Sequence, residues 1–134
     1  MQKLLVIDTN ILVNAFKSAN PKSKARLLLR QIINGKYKMC ISTDIIEEYE
    51  DVLHRPVLGL NPVDVDLFLS WVRLNSFWIE PKPSTPPSVE MGDEDDRAFF
   101  DVAVCLDVPL ITRNFSDYPV HELIFPIKDF HIEE

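Results

Sequence analysis

The sequence lacks the long apolar segment that a membrane-spanning helix requires. No hydrophobic run approaches the roughly 18 consecutive apolar residues of a span. The first residues also lack the basic stretch, longer apolar run and small-residue cleavage site of a secretory signal, because the strand-like run Leu4–Ile7 begins almost at once. From these absences we expect a cytoplasmic protein that does not associate with membranes.

Cysteine and histidine are scarce and scattered. The chain has two cysteines and three histidines, and none of them are spaced closely enough to suggest the ligands of a zinc site. Cys40 and Cys105 each lie within an apolar segment, so we expect buried thiols that behave as small hydrophobic groups. Any metal ion in this protein is therefore expected to be bound by oxygen.

Acidic residues are absent from one quarter of the chain. Between Thr9 and Thr43 there is no Asp or Glu, although the segment holds seven lysines and arginines and the whole chain has a net charge of −7. The remainder is therefore strongly acidic. Such an asymmetry is typical of a protein that contacts phosphate on one side and concentrates carboxylates elsewhere.

The order of the predicted elements defines a fold class. The length of 134 residues suits one domain spanning 1–134. Strands that alternate with amphipathic helices predict an α/β fold, with a parallel sheet of about five strands between two layers of helices. We expect strands over 3–8, 37–41, 77–79, 109–112 and 123–126, and helices over 9–17, 23–34, 43–54, 61–74 and 95–106.

Several local signals fix helix ends and buried faces. Gly35 is expected to end the second helix as its C′ residue, and Asn61-Pro62 to begin the fourth as N-cap and N1. The segment 81–87 (PKPSTPP) is predicted to be a stiff loop. The second helix should bury an apolar stripe made of Ala25, Leu28, Leu29, Ile32 and Ile33.

Polar residues collect where the predicted strands end. Asp8 ends the first strand, Thr112-Arg113-Asn114 end the fourth, the acidic run 93–96 enters the fifth helix, and Glu48 lies early in the third helix. In a parallel α/β sheet the carboxyl ends of strands and the amino ends of helices share one edge, where ligands bind. We expect these side chains to converge there.

Each acid also has a simpler interpretation. Asp8 could cap the following helix, and Asp96 could do the same, although the spacing of Phe99 and Ala103 places it on the inward face and Asp101 on the outward face. Periodicity does not choose between Glu48 and Glu50, which occupy opposite borders of an apolar stripe. Convergence favours a site, because carboxylates in one cleft repel unless a cation holds them, and Mg²⁺ or Mn²⁺ suits such donors.

Three segments together resemble the PIN-domain family. They are LLVIDTNILVNAF, STDIIEEYEDVLHRP and DEDDRAFFDVAVCLDVPLITRN, and they cover nearly the whole chain in the family's order. The closest likeness is to the VapC-like branch, which is associated with the toxins of toxin–antitoxin systems. The resemblance implies a Rossmann-like α/β/α sheet and Mg²⁺- or Mn²⁺-dependent cleavage of single-stranded RNA.

The resemblance also assigns roles to residues. It implies that Asp8, Glu48 and Asp96 bind metal, and that the fourth catalytic position is filled by Asn114 or Asp117, where many relatives have Asp. Cleavage would then leave a 3′-hydroxyl and a 5′-phosphate. The substrate contacts that we expect around this cluster are Asn10, Thr112, Arg97 and Arg113, and, for steering the RNA backbone, Lys24, Arg26 and Arg30.

Two other functions are considered. A phosphoacceptor signalling domain would need an acid pair after the first strand and an acceptor Asp after the third, whereas the third strand here ends Glu80-Pro81. A catalytically silent PIN-like binding module stays open, because Asn114 is a weaker ligand than Asp. A toxin would also imply an antitoxin partner and a homodimer, for which Leu67, Trp71 and Leu74 offer an apolar surface.

Overall fold

The fold is seen in a computed structural model that describes residues 2–81 and 94–134. Its strands are β1 (Lys3–Ile7), β2 (Tyr37–Ile41), β3 (Phe77–Trp78), β4 (Leu110–Thr112) and β5 (Ile124–Pro126). Its α-helices are α1 (Thr9–Lys17), α2 (Lys24–Ile33), α3 (Thr43–Leu53), α4 (Pro62–Asn75) and α5 (Arg97–Leu106). Most of the predicted loop 81–87, and Asp93 of the acidic run, lie outside the described residues.

The five strands form one parallel sheet in the order β3-β2-β1-β4-β5. This confirms the predicted α/β class and three-layer α/β/α arrangement. The chain moves outward from β1 through β2 to β3, and then returns to place β4 on the other side of β1. The gap between the carboxyl ends of β1 and β4 is therefore the topological switch point, where open α/β sheets bind ligands.

The core lies around β1. Leu5, Val6 and Ile7 are fully buried, as expected for a central parallel strand covered on both faces. The hydroxyl of Tyr49 in α3 donates to the carbonyl of Ile7 at 2.5 Å. That bond ties α3 to the end of β1 and satisfies a buried phenol that would otherwise be costly.

Local capping chemistry sets the helix ends close to the predicted positions. The Asn61 side chain accepts hydrogen bonds from the N–H groups of Val63 and Asp64 at the start of α4. Ser42 caps α3 in the same way through the N–H of Ile45. Gly35 follows α2 with a φ of 87°, a conformation that is inexpensive for glycine.

Two predictions of burial are wrong. Ile33 is 56% exposed, because it ends α2 at the mouth of a groove between α1, α2 and α4 that Phe16 and Phe68 only partly fill. Cys105 is exposed whereas Cys40 is buried. The position of Cys105 is about 200° around α5 from that of buried Ala103, which turns the thiol away from the sheet.

In the described ranges, 2–81 and 94–134, no helix has the length and apolar character needed to cross a membrane.

Candidate active site at the carboxyl edge of the sheet

Asp8 is the centre of the site. It follows β1 directly and is only 3% exposed. Its Oδ2 accepts hydrogen bonds from the hydroxyls of Thr112 at 2.8 Å and Tyr118 at 2.9 Å, and from the amide of Asn10 at 3.2 Å. The carboxylate makes no capping bond to α1. Asp8 is therefore held by side chains from α1, β4 and the turn after β4, and the first N–H groups of α1 also lie close to its carboxylate.

Burial dominates the electrostatics of this carboxyl group. Desolvation raises the pKa of Asp8 above its usual value, while the bonds from Thr112 and Tyr118 and the nearby N–H groups of Thr9 and Asn10 oppose that rise. Burial also raises the pKa of Tyr118 strongly, and the charges of Asp8 and Asp96 raise it further. Tyr118 is therefore a neutral donor, and the charges of Asp8 and Asp96 both act on it.

A network joins β4 to the site. Thr112 is fully buried; besides donating to Asp8, its hydroxyl oxygen accepts from the N–H of Asn114 at 3.0 Å and from the amide of Asn10 at 3.3 Å. The Asn10 side-chain oxygen accepts from the N–H of Arg113 at 3.0 Å. The structure therefore brings Asn10, Thr112 and Asn114 together with Asp8, as the sequence predicted for neighbouring strand ends.

The fourth catalytic position is not decided between Asn114 and Asp117. Both belong to the short turn after β4, where the N–H of Asp117 donates to the carbonyl of Asn114 at 3.0 Å. The Asn114 side chain is exposed, and its backbone N–H donates a hydrogen bond to the Thr112 hydroxyl, whereas Asp117 is half-buried.

Asp96 lies at the junction between a 3₁₀ turn, Glu94–Asp96, and α5. It occupies the N-cap position, yet its backbone is helical and its side chain makes no capping bond to α5. It is half-buried. The Asp96 side chain therefore does not cap α5, and its charge, like that of Asp8, raises the pKa of Tyr118.

The structure separates Glu48 from Glu50. Glu50 forms an ion pair with Arg73 of α4, while Glu47 is exposed to solvent. Glu48 instead lines an acidic cleft of about 320 Å³ between α3 and α5, together with Asp44, Glu94, Arg97 and Asp101. Of the acids that periodicity left open, Glu48 is the one directed towards the helix that carries Asp96.

Asp101 corrects a sequence prediction. We expected it to face outward, but it is only 9% exposed. The prediction assumed a single buried stripe on α5, whereas α5 contacts the sheet on one side and α3 on another. Asp101 consequently faces the cleft shared with α3, one turn beyond Arg97.

The Arg97 guanidinium is held by carboxylates. Its Nε and Nη2 donate to the two carboxyl oxygens of Glu94 at 2.7 and 2.9 Å. Glu94 and then Asp101 raise the pKa of Arg97, and Arg97 in turn lowers the pKa of Glu94. In this arrangement Arg97 offsets one of the four negative charges that line the cleft. To contact a phosphate, Arg97 would have to give up its hydrogen bonds to Glu94.

The three basic residues of α2 make structural bonds. Lys24 Nζ donates to the carbonyls of Ile127, Lys128 and Phe130 at 3.2, 2.8 and 3.0 Å. Arg26 and Arg30 donate to the carbonyls of Ser18 and Pro21 at 3.2 and 2.9 Å. These cations fasten the loop before α2 and the turn after β5, which are roles that charge and spacing alone do not reveal.

The donor chemistry of the site fits a hard divalent cation. Asp8, Asp96 and Glu48 offer the carboxylate oxygens that Mg²⁺ and Mn²⁺ prefer. The buried hydroxyl of Thr9 has no hydrogen-bond partner in the described part of the chain, as expected where a ligand or water completes a site. Within that same part, however, no three acidic, His or Cys side chains are grouped closely enough to hold a metal, so the ligands are not preassembled.

Sequence reasoning missed Tyr118, which is 6% exposed and bonded to Asp8. It lies in an irregular segment between β4 and β5 where no periodicity marks a buried face. It also missed Asp44 and Asp101, which line the cleft with Glu48. Their positions depend on how α3 packs against α5, so only the tertiary structure reveals them.

The fold and site define a class of small α/β domain that carries a buried acid, Asp8, at the switch point of a parallel sheet. A family comparison matches residues 4–116 to the PIN domain, and the chain belongs to that family. PIN domains are generally nucleases and typically use divalent metal ions, so the chain has a nuclease-type function. A search of curated proteins found no significant match.

Proposed function

We propose that this PIN domain is a metal-dependent endoribonuclease that cleaves single-stranded RNA in the cytoplasm, as the toxin of a toxin–antitoxin pair. The observation that carries the nuclease part is the state of Asp8. It is a buried carboxylate at the switch point, held by hydrogen bonds from Thr112 and Tyr118. Burying a carboxylate costs free energy even when it is hydrogen-bonded, and such locally unfavourable groups are common at functional sites.

Asp8, Asp96 and Glu48 would hold Mg²⁺ or Mn²⁺ in this enzyme. A bound divalent ion supplies an acidified water as nucleophile and offsets charge on the phosphate. Thr112 and Tyr118 fix the orientation of the Asp8 carboxylate through Oδ2. Asn114 or Asp117 would orient the attacking water, and hydrolysis would leave a 3′-hydroxyl and a 5′-phosphate.

Cleavage of a fluorescent single-stranded RNA with Mg²⁺, Mn²⁺ or EDTA tests the proposal. We expect cleavage only with metal, and loss of at least ~100-fold in the Asp96→Asn and Glu48→Gln variants, as is common when transition-state charge stabilisation is removed. Glu47→Gln is the matched control, because Glu47 neighbours Glu48 on α3 but faces solvent. Equal cleavage by Asp96→Asn and the parent would refute the assignment.

A catalytically silent binding module is the second candidate. Two points favour it. The resemblance implies an Asp at the position of Asn114, or a few residues later, in many relatives, and this chain has an amide at 114. The described residues also contain no group of three acidic, His or Cys side chains that could hold a metal. Under this alternative the parent would bind RNA but leave it intact, even with Mn²⁺ and with any co-purified protein removed.

The toxin role rests on the resemblance to the VapC-like branch. It predicts that expression of the parent arrests bacterial growth while Asp96→Asn does not. The antitoxin partner follows from the same proposal. An apolar groove of about 380 Å³ between α1, α2 and α4, rimmed by Arg26 and Arg30, suits an apolar peptide that carries carboxylates.

We also propose a homodimer. Leu67 and Leu74 on α4 are 67% and 85% exposed, and Val63 adds 65% on the same helix face; these three residues are spaced by about whole turns. Light scattering on the parent should report twice the monomer mass. The Leu67→Glu/Leu74→Glu variant should have the mass of one monomer, and a monomeric parent would contradict the proposal.

A further inference from the structure

A second cleft begins where the acidic site ends. It is an open space of about 650 Å³ between the turn after β4 and the turn after β5. Thr112, which donates to Asp8, forms its inner end, and Arg113, Asn114 and Phe115 form one wall. The cleft is therefore linked to Asp8 through the hydrogen bond of Thr112.

The cleft differs in charge from its neighbour. Among the described residues, no Asp or Glu lines it, whereas four acids line the cleft around Glu48. Its cations are Lys24, Arg113 and Lys128. The protein as a whole has a net charge of −7, so an acid-free opening beside the carboxylates marks the place where a polyanion meets the least repulsion.

The three cations differ in their contacts. Lys24 is occupied by three backbone carbonyls, one of them that of Lys128 itself, so it fixes the wall that carries Lys128. The side chains of Arg113 and Lys128 are exposed. Exposed cations on both walls of a cleft can contact consecutive phosphates of a bound strand.

An aromatic ring lines the same cleft as these cations. Phe115 is 43% exposed, and the apolar residues Pro126 and Ile127 form the opposite wall. Single-stranded nucleic acids are bound by this combination of an aromatic platform for a base and a basic groove for the backbone. The volume also lies within the range of small-molecule sites, about 300–1,000 Å³.

We propose that this cleft binds the nucleotide next to the scissile phosphate, with its base stacked on Phe115 and its phosphates on Arg113 and Lys128. The inference rests on the proposed nuclease function and adds a substrate-positioning subsite to it. Because stacking tolerates every base, the subsite should favour single strands over duplexes without strong sequence preference.

Binding of a fluorescent single-stranded RNA in EDTA tests the subsite without cleavage. Phe115→Leu should weaken binding by ~10-fold, and Phe115→Tyr, which keeps the ring, should restore it. Lys128→Gln should lower the slope of log affinity against log salt by about one. Lys36→Gln, at the opposite edge of the sheet, is the matched control. Parental affinity in Phe115→Leu together with a parental salt slope in Lys128→Gln would overturn the proposal.

Kinetics separate this proposal from the function on which it rests. If the parent cleaves with metal, Phe115→Leu should raise KM and leave kcat within about twofold, since the ring binds and does not react. If Phe115→Leu and Lys128→Gln both cleave RNA with an unchanged KM, the subsite is refuted but the nuclease function is not. Binding that depends on Phe115 without any cleavage refutes the nuclease function alone. Because Phe115 and Lys128 are exposed, both variants should fold, which circular dichroism checks.

Discussion

The hydrogen bond from Tyr118 to Asp8 can be removed by deleting a single oxygen atom. Tyr118→Phe deletes the hydroxyl that donates to Asp8 Oδ2 at 2.9 Å. Both residues are buried, at 6% and 3% exposure, so water does not easily replace the lost donor. A hydrogen bond to a charged group contributes about 1.5–3 kcal/mol, and we expect Tyr118→Phe to lower the free energy of unfolding by about that amount at neutral pH.

The pH dependence of this loss has a definite sign. Burial raises the pKa of folded Asp8 above its usual value. The cost of its charge therefore appears as pH rises through the unfolded pKa and is complete above the folded pKa; it disappears as pH falls. A neutral carboxyl needs its donors less, so Tyr118→Phe should cost more stability at high pH than at low pH.

A double-mutant cycle with Asp8→Asn isolates the interaction. Urea unfolding in EDTA, at several pH values between 4.5 and 8, would be measured for the parent, both single variants and the double variant. Asp8→Asn alone should preserve or raise stability, because it removes a desolvated charge, and the cost of Tyr118→Phe should shrink in its background. The reasoning fails if Tyr118→Phe costs nothing at pH 8, or costs the same with Asn at position 8.

Two further outcomes are expected. Hydrogen bonds to the Glu50 carbonyl and, next, to the Asp66 carboxylate raise the pKa of His54. The protonated His54 therefore stabilises the fold below the unfolded pKa, and this stabilisation is lost as pH rises through the folded pKa. His54→Gln should thus lower the melting temperature more at pH 5.5 than at pH 8.5, and equal losses would contradict this. Mn²⁺ at about 100 times its Kd should stabilise the parent by about 2.7 kcal/mol. A thermal shift of the same size in Asp8→Asn would exclude that residue as a ligand.

Strand and helix positions could be predicted because local signals agreed with the fold. The unbroken apolar run before Asp8 predicted a central buried strand, and Asn61, Gly35 and Pro62 predicted helix ends that the structure confirms. Parallel topology then placed Asp8 beside Thr112 without knowledge of any contact, since strand ends in such a sheet share one edge.

The parts that failed depend on packing between elements. Asp101 was assigned to the outside of α5 from its angle on the helix, but α3 covers that side. Tyr118 carries no sequence signal, because it reaches Asp8 from an irregular turn. The hydrogen bonds of Lys24 could not be predicted from local sequence, because the carbonyls that its Nζ contacts lie about a hundred positions away in the chain; its role as an RNA contact stays a prediction.

Charge is segregated between two clefts, and under the proposed function this segregation would let an acidic protein act on a polyanion. On one side lie the carboxylates of α3 and α5, with Arg97 held among them. On the other lies a cleft without acids that carries Arg113 and Lys128. A divalent ion would neutralise the first side only, because the second has no carboxylate to bind it. The strand should therefore bind from the basic side, and raising salt should weaken its binding even at saturating metal.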